Sequence, residues 1–309
     1  MGGQVRILLS TYNGGAFLAD QLASFAAQSH AGWTLLWRDD GSTDATVAIM
    51  ERFAAGLDPG RCTRLAAPEG NIGASASFLA LLRAALPGLG AGDAAAFADQ
   101  DDVWLPEKLA RGMAALAAVP AGRPALACAR QVLVDAALRP YAESPPLRRP
   151  PGFPAALAQN LATGCTILLN RPAAALIAGS HPPQHFFHDW WSYLLVAAAG
   201  GEVRMEPAPL VLYRQHGANA VGAPGGRLRR ALGAVRRGPG AFMHLFRAHL
   251  AALAAERRLL TEAARDDVAR LQAALAGGPF RRLGVLGMPG LRRQTLLETL
   301  TFRLWFLIG

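Results

Sequence analysis

Three carboxylates lie within four positions of the chain, in the run Ala98-Asp99-Gln100-Asp101-Asp102-Val103-Trp104. The small apolar residues 94–97 directly before this run predict a strand, and ligands of open α/β folds bind at the carboxyl ends of strands. Hard divalent cations take carboxylate oxygens together with substrate phosphates. The cluster therefore favours a Mg²⁺ or Mn²⁺ site. Alternatively, Asp101 or Asp102 caps a helix that begins near Pro106 and has Glu107 in its first turn.

Two further polar clusters follow predicted strands. They are Ser10-Thr11-Tyr12-Asn13 and Arg38-Asp39-Asp40-Gly41-Ser42-Thr43-Asp44. An aspartate in such a tight turn can accept hydrogen bonds from ribose hydroxyls or from the N–H of a base. The alternative is a turn followed by a helix cap at Ser42 or Thr43. Because the carboxyl ends of parallel strands converge on one crevice, the three clusters together favour a binding site.

Glycine-rich phosphate loops are missing from the sequence, since neither GxGxxG nor GxxxxGK[ST] occurs. This argues against a dinucleotide-binding protein or a P-loop enzyme. A bound phosphate would instead be held by a metal ion and side chains.

The second half of the chain supplies Thr163-Gly164-Cys165, His188-Asp189-Trp190-Trp191 and Tyr213-Arg214-Gln215-His216. Asp189 stands at a predicted helix start beside two indole rings. Apolar surroundings raise the pKa of a carboxyl group, which suits a general base near neutral pH. The alternative for Asp189 is a first-turn acid favoured by the helix dipole. His216 is either a neutral metal ligand or a solvated loop histidine.

Alternating strand and helix patterns surround these clusters, which predicts βαβ units on a mainly parallel sheet. The predicted strands cover residues 5–9, 34–37, 63–66, 94–98, 125–134, 165–169, 203–205 and 210–214. The predicted helices cover residues 17–28, 44–53, 74–86, 106–117 and 188–199. The proline-rich residues 139–154 predict a loop or a mobile flap.

Length and composition are those of a globular α/β protein of 309 residues, 52% of them hydrophobic. The three cysteines are widely spaced, which indicates a reducing compartment rather than disulfides or a zinc site. The first residues have no signal-peptide pattern, and no apolar run is long enough to span a membrane. We therefore expect a cytoplasmic protein.

The positive charge is concentrated in the last part of the chain. Residues 225–309 contain 15 arginines and 5 acidic residues, whereas the preceding residues contain 16 basic and 17 acidic ones. We expect one domain over residues 1–222 and a basic helical region over residues 223–309. Helical spacing of Leu, Phe and Trp between arginines, at residues 242–276 and 296–309, favours an anionic membrane surface. The alternative is packing on the first domain or on a partner subunit. No nucleic-acid motif is recognisable, so nucleic acid is disfavoured.

Taken in order, the motifs resemble those of the family 2 glycosyltransferases of the GT-A fold. The resemblance covers about residues 4–222 and is greatest to the bacterial branch that includes rhamnosyltransferases of cell-surface polysaccharide synthesis. It implies a GT-A type, Rossmann-like, mixed but mainly parallel sheet flanked by helices, followed by a helical C-terminal extension. One departure is Ser77 before Phe78, where family members often have Asn.

The resemblance also implies roles for individual residues. Asp189 corresponds to the catalytic base of inverting members, and Asp101 and His216 correspond to ligands of Mg²⁺ or Mn²⁺. The implied donor-binding residues are Thr11, Tyr12, Asn13, Asp39, Asp40, Asp99 and Lys108. The implied sugar and acceptor pocket contains Trp104, Thr163, Gly164, Trp190 and Trp191, although core packing is the alternative for each Trp.

The implied reaction is transfer of a sugar such as rhamnose from a dTDP- or UDP-sugar to a glycan or lipid-linked acceptor. The place of the reaction would be the inner face of the plasma membrane. One alternative is a nucleotidyltransferase of similar fold, although a Gly- and Arg/Lys-rich loop is missing after the first strand. The other alternative is an inactive sugar- or nucleotide-binding module, which would be expected to have lost Asp101 or Asp189.

Overall fold

Two compact units make up the chain in the computed structural model, which describes residues 3–66, 70–217 and 227–309, with side chains from residue 239 onward in the last range. The sheet unit comprises residues 1–146, 162–179 and 201–214. The helical unit comprises residues 147–161, 180–200 and 215–309. The predicted boundary after residue 222 lies outside the described residues, and the division at that point stays a prediction.

The described residues form nine strands, all of them in the sheet unit. They are β1 (Val5–Thr11), β2 (Trp33–Asp39), β3 (Cys62–Arg64), β4 (Ala94–Ala98), β5 (Val103–Trp104), β6 (Ala125–Val134), β7 (Pro140–Glu143), β8 (Leu168–Asn170) and β9 (Glu202–Arg214). Their order in the sheet is β3-β2-β1-β4-β8-β6-β9-β5, with β7 paired to β6. The β3-β2-β1-β4 part is parallel, β8 runs antiparallel to β4 and β6, and β9 is parallel to β6.

The helices follow the same numbering along the chain. They are α1 (Leu18–Ala26), α2 (Thr46–Ala55), α3 (Ala74–Ala85), α4 (Lys108–Ala117), α5 (Ala155–Ala158), α6 (Arg171–Ala178), α7 (His188–Ala198), α8 (Arg227–Ala255), α9 (Glu262–Ala276), α10 (Gly278–Val285) and α11 (Leu296–Ile308). The sheet unit contains α1–α4 and α6, and the helical unit contains the others. This mixed sheet with flanking helices and a helical C-terminal region confirms the predicted fold class.

The central strands are buried on both faces, as expected of a parallel sheet covered by helices. All five residues of β4 are buried, and four of them are alanines. Small side chains here let the neighbouring elements approach closely. On α4, a Cβ added at Gly112 would lie 2.6 Å from Leu168 Cδ2 of β8, so this helix needs a glycine at the contact.

Side-chain caps define the starts of several helices. Asn170 accepts a hydrogen bond from the Ala173 N–H at the start of α6, and Thr261 accepts one from Ala264 N at the start of α9. At the start of α11, Thr295 and Glu298 cap each other's backbone N–H groups. These contacts satisfy donors that the first turn of a helix leaves without a partner.

Four local predictions require correction. The predicted loop at 139–154 contains β7, and the two-residue strand β5 was not expected. The predicted strand at 165–169 is a 3₁₀ turn at Gly164–Thr166 followed by β8. The two strands expected at 203–205 and 210–214 are one strand, β9, which changes register against β6 near Arg130.

Among the described helices, none combines the length and the apolar character that crossing a bilayer requires.

Candidate functional site

The carboxyl ends of β1, β2 and β4 lie side by side, because Thr11 pairs with Asp39 and Leu9 pairs with Ala98 in the sheet register. The polar clusters that follow these strands therefore share one edge of the sheet unit. This is the edge at which open α/β folds bind ligands.

Asp39 organises the turn after β2. One carboxylate oxygen accepts hydrogen bonds from the hydroxyls of Thr11 (2.9 Å) and Ser42 (2.6 Å). The other accepts from the backbone N–H groups of Gly41 (3.1 Å) and Ser42 (2.8 Å). Gly41 has a φ of 93°, a conformation that favours glycine. Asp39 thus joins the ends of β1 and β2 through its side chain.

Asp40 is buried and holds the loop before α3. Its carboxylate pairs with the buried guanidinium of Arg38 and accepts hydrogen bonds from Ile72 N and Gly73 N, both at 2.8 Å. Arg38 also donates to the Gly70 carbonyl (3.2 Å) and to the Ser77 hydroxyl (3.3 Å). The role of Asp40 in nucleoside binding stays a prediction, and a ligand would have to share these oxygens with the loop.

The loop after β1 is fixed from both sides. Gln100 accepts a hydrogen bond from Tyr12 N (2.8 Å) and donates one to Tyr12 O (2.9 Å). On the other side, Asn13 accepts from the Thr43 N–H at 2.8 Å, and its own N–H donates to the Ser42 hydroxyl. Tyr12 is exposed beside this framework. Its side chain is therefore accessible to a ligand at the edge.

The acidic segment (residues 99–102) is anchored by Arg214 at the end of β9. The Arg214 side chain donates from Nε to the Asp101 carbonyl (2.8 Å), and its backbone N–H donates to the Asp102 carboxylate (3.0 Å). Its other nitrogens donate to the Ala136 carbonyl (2.6 Å) and to the Asp20 carboxylate (2.7 Å). One buried arginine thus fixes the backbone that carries the acids.

Asp102, the last residue of this segment, is completely buried, and its burial together with the charge of Asp101 raises its pKa to about 7. Lys108, the one lysine of the chain, is buried in the same region. Its ammonium lies 3.4 Å from the centre of the Trp104 ring, and burial lowers the pKa of Lys108 to about 7. The sequence did not predict this buried pair of titratable groups.

Two ionisable side chains next to the acidic segment, Cys165 and Tyr213, have raised pKa values. Burial and the charges of Asp102 and Asp99 raise the pKa of the Cys165 thiol well above its usual value. Burial, with smaller contributions from the same acids, also raises the pKa of the Tyr213 phenol. Ligand atoms of Asp99, Asp102 and Cys165 lie within 4.8 Å of one another. Because the thiol stays protonated, the carboxylates are the groups that suit a hard cation.

The remaining predicted residues of the sheet unit have structural contacts. The carbonyl of Thr163 accepts hydrogen bonds from the N–H and the hydroxyl of Thr166, which forms the turn that contains buried Gly164. Trp104 is also buried, with its ring 4.8 Å from that of Phe25. Core packing accounts for Trp104, and the pocket roles of these three residues stay predictions, as does donor binding by Lys108.

The helical unit contains the other predicted residues. Asp189 lies in the first turn of α7, where its carboxylate accepts a hydrogen bond from Trp190 N (2.6 Å). Trp190 donates from its indole to the Ala156 carbonyl (2.7 Å), and buried Trp191 donates to the Ser180 hydroxyl (2.9 Å). His216 is half-buried. The assignment of Asp101 and His216 as a metal-binding pair stays a prediction.

Arg38, Gln100 and Arg214 are the organising residues that the sequence analysis did not select. Each was visible as a polar residue inside or beside a motif, but nothing in the spacing separates a residue that contacts a ligand from one that supports the residue next to it. Buried arginines such as these require partners, and here the partners are the loops of the site.

Comparison with known proteins gives one family match. The family model described as "Glycosyl transferase family 2" matches residues 6–160. This range includes both strand-end clusters, the acidic segment and β6.

Two curated relatives extend beyond this range. An uncharacterized protein of Mycobacterium tuberculosis is 31% identical over 218 residues, which are 68% of this chain and 58% of that protein. The chain thus spans less than two thirds of the length of this relative. The dTDP-rhamnosyl transferase RfbG of Shigella flexneri is 26% identical over 234 residues, which are 70% of this chain and 74% of RfbG.

Among solved structures, Staphylococcus aureus TarS in complex with UDP-GlcNAc is similar with a TM-score of 0.61 and 14% identity. The match covers 96% of this chain and 77% of that TarS chain. At this identity the likeness concerns the fold alone.

Proposed function

The chain belongs to glycosyl transferase family 2, and we propose that it transfers a sugar from a nucleoside-diphosphate sugar to an acceptor hydroxyl with inversion at the anomeric carbon. The observation that carries the proposal is the convergence of Thr11, Asp39 and the acidic segment at the carboxyl edge of β1, β2 and β4, inside the matched range.

In this proposal the turn after β2 and the loop after β1 receive the nucleoside. Their backbones are already fixed by Asp39, Asn13 and Gln100, so little ordering is needed when the donor binds. Asp40 and Asp39 are the acceptors offered to the base and ribose, and Asp99 contacts the ribose or the sugar.

The acidic segment fits a divalent cation, because ligand atoms of its Asp99 and Asp102 lie within 4.8 Å of each other and carboxylate oxygens are the ligands that hard cations take. We assign Asp101, with His216, as the residues that would hold Mg²⁺ or Mn²⁺. When bound, such an ion stabilises negative charge on the departing diphosphate. Arg214 keeps the segment in place by its bond to the Asp101 carbonyl.

Asp189 is proposed as the base. It takes the proton of the acceptor hydroxyl while that oxygen forms a bond to C1 of the sugar and the bond from C1 to the diphosphate oxygen breaks. One displacement of this kind inverts the anomeric centre. Asp189 lies in the first turn of α7, directly before Trp190 and Trp191.

The finer assignments rest on similarity to RfbG and on the charge of the chain. We propose a dTDP- or UDP-sugar as donor, rhamnose as the sugar, and a glycan or lipid-linked acceptor of cell-surface polysaccharide synthesis. We also propose that residues 225–309, with 15 arginines and 5 acidic residues, associate with an anionic membrane at the cytoplasmic face.

The test is a panel of nucleotide sugars incubated with the protein and Mn²⁺, with products identified by mass spectrometry. We expect release of the nucleoside diphosphate and a glycosylated product. Production or consumption of pyrophosphate would indicate a nucleotidyltransferase instead. If no donor and acceptor in the panel is turned over, the protein is instead a sugar- or nucleotide-binding module without activity.

Two variants separate binding from chemistry. Asp101→Ala should abolish the metal-dependent part of nucleoside-diphosphate binding, measured by titration calorimetry with and without EDTA. Asp58→Ala, an exposed carboxylate after α2, is the matched control and should bind normally. Asp189→Asn should bind donor as the unmodified protein does and lose transfer. Retained turnover in Asp189→Asn would exclude this residue as the base.

A further inference from the structure

The last helix of the chain, α11, is apolar on two faces but packed on one. Its buried face carries Phe302, Trp305 and Phe306. The rings of Phe302 and Phe306 lie 5.9 and 5.6 Å from that of Phe246 on α8. This packing accounts for one side of the helix and places the opposite side outward.

Large aliphatic side chains occupy the outward side of α11. At roughly 100° per residue they fall within an arc of about 120°. Each is more than half exposed, and together they form the apolar stripe: Leu296, Leu297, Leu300, Leu304 and Ile308. A soluble helix normally places polar residues on such a face, so the stripe has the composition of a surface that is covered in use.

Helix α10, which contacts α11, also carries large exposed apolar side chains. Phe280 is 92% exposed, and Leu283, one turn later, is 59% exposed. Arg282 of α10 donates hydrogen bonds to the carbonyls of Leu307 (3.1 Å) and Phe306 (3.5 Å), which fixes α10 at the carboxyl end of α11. The two helices thus present exposed apolar side chains in one part of the helical unit.

The charge of residues 278–309 distinguishes between two possible partners of this surface, a second copy of the chain and a lipid bilayer. Residues 278–309 contain five arginines and one acidic residue. Arg281 and Arg292 are exposed, whereas the single acid, Glu298, is occupied by the cap of α11. A second copy of this face would bring like charges together, whereas an anionic lipid surface offers both apolar chains and negative headgroups.

We propose that the apolar stripe of α11, with Phe280 and Leu283 of α10, inserts into the headgroup region of an anionic bilayer. The inference deepens the membrane association proposed above by naming the face that makes it. From Leu296 to Ile308 the helix is about 18 Å long, too short to cross a hydrocarbon core of about 30 Å. We infer that α11 therefore lies in the plane of the membrane, with its aromatic face on α8.

The experiment is sedimentation of the full chain with vesicles of phosphatidylcholine alone and of phosphatidylcholine mixed with phosphatidylglycerol. We expect binding to the mixed vesicles only. Leu300→Gln/Leu304→Gln should lower the partition coefficient by about tenfold or more, because two inserted aliphatic side chains are lost. Arg281→Gln/Arg292→Gln should lower it roughly fivefold per arginine, and added salt should have a similar effect.

Tyr141→Gln on β7 is the matched control, because it also replaces an exposed apolar side chain with a polar one. It should bind vesicles as the unmodified chain does. Circular dichroism and thermal unfolding show whether each variant keeps its fold. Unchanged partition of a folded Leu300→Gln/Leu304→Gln would overturn the proposal. So would a dimer, seen by sedimentation velocity, that this variant dissociates without losing vesicle binding.

Failure of this inference is distinguishable from failure of the enzymatic proposal. Donor turnover is measured in the same preparations without vesicles, where Leu300→Gln/Leu304→Gln should be as active as the unmodified protein. Asp101→Ala should show the reverse, with normal vesicle binding and no turnover. A chain that binds vesicles but turns over no donor would contradict the enzymatic proposal alone.

Discussion

The two acidic clusters at the sheet edge differ in how their charges are satisfied. After β2, Asp39 and Asp40 direct their oxygens to backbone N–H groups, to hydroxyls and to Arg38. After β4, Asp102 is buried with a raised pKa, and Arg214 supports the segment mainly through its backbone. The first cluster determines loop conformation, whereas the second contains a buried carboxyl group with a raised pKa. Of the two, the second is the cluster that we propose as the cation site.

The largest effect is expected from breaking the first cluster. Arg38→Ala leaves the Asp40 carboxylate buried without its cation, which should lower the free energy of unfolding by about 3–5 kcal/mol. Urea unfolding measures this. Arg139→Ala, which removes an exposed ion pair with Asp135, is the control and should leave the free energy of unfolding nearly unchanged. Equal losses in both variants would mean that Asp40 does not depend on Arg38.

Asp102 of the second cluster, together with the nearby Lys108, should make the free energy of unfolding depend on pH. The pKa of Asp102 rises on folding from 3.8 to about 7, so the folded state binds the extra proton and the free energy of unfolding should fall as pH rises across that range. The pKa of Lys108 falls from 10.5 to about 7, so the same free energy should rise between pH 7 and 10.5. For each group, one unit of pKa shift changes the free energy of unfolding by about 1.4 kcal/mol.

Single variants show which group causes each part of the pH dependence. In Asp102→Asn, the fall in the free energy of unfolding as pH rises toward 7 should be smaller. In Lys108→Met, the rise in this free energy above pH 7 should be smaller. Chemical unfolding over a pH series provides the measurement. If the free energy of unfolding depends on pH in both variants as it does in the unmodified protein, burial does not shift the pKa values of these two groups as expected.

The smallest effect concerns Gln100, the residue that links the acidic segment to the loop after β1. Gln100→Ala removes two hydrogen bonds to the backbone of Tyr12, which should lower the free energy of unfolding by about 1–2 kcal/mol and weaken donor binding. Gln272→Ala on the exposed side of α9 is the matched control. If donor affinity is the same in both variants, the loop is held without Gln100.

The strands that carry the site could be predicted, because β1, β2 and β4 are mainly apolar and a polar cluster follows the apolar part of each. Strand β9 was divided in two because Pro207 and Pro209 interrupt its pattern, and a proline that lacks an N–H is tolerated where the register shifts. Strand β5 has only two residues, too few for any periodicity.

The sequence analysis selected the acids at the edge of the sheet but not the residues that support them, and the roles of these acids stay predictions. Apolar residue type does not distinguish Trp104 in a pocket from Trp104 in the core, and its burial beside Phe25 depends on the packing of α1. The sequence motifs implied donor binding by Lys108 and gave no sign that its amine is buried. Lys108 becomes a buried amine only because α4 starts beneath the indole ring.

The contacts of Arg214 also determine when, during synthesis, the acidic segment can take its final conformation. Its guanidinium reaches the backbone of Asp101, 113 positions earlier in the chain, and the carboxylate of Asp20, 194 positions earlier. In a nascent chain, β1, β2 and β4 can therefore form early. The hydrogen bonds from Arg214 to the acidic segment can form only after β9 has left the ribosome. Such distant pairing is slow to form, so maturation of the acidic segment should be the late step of folding.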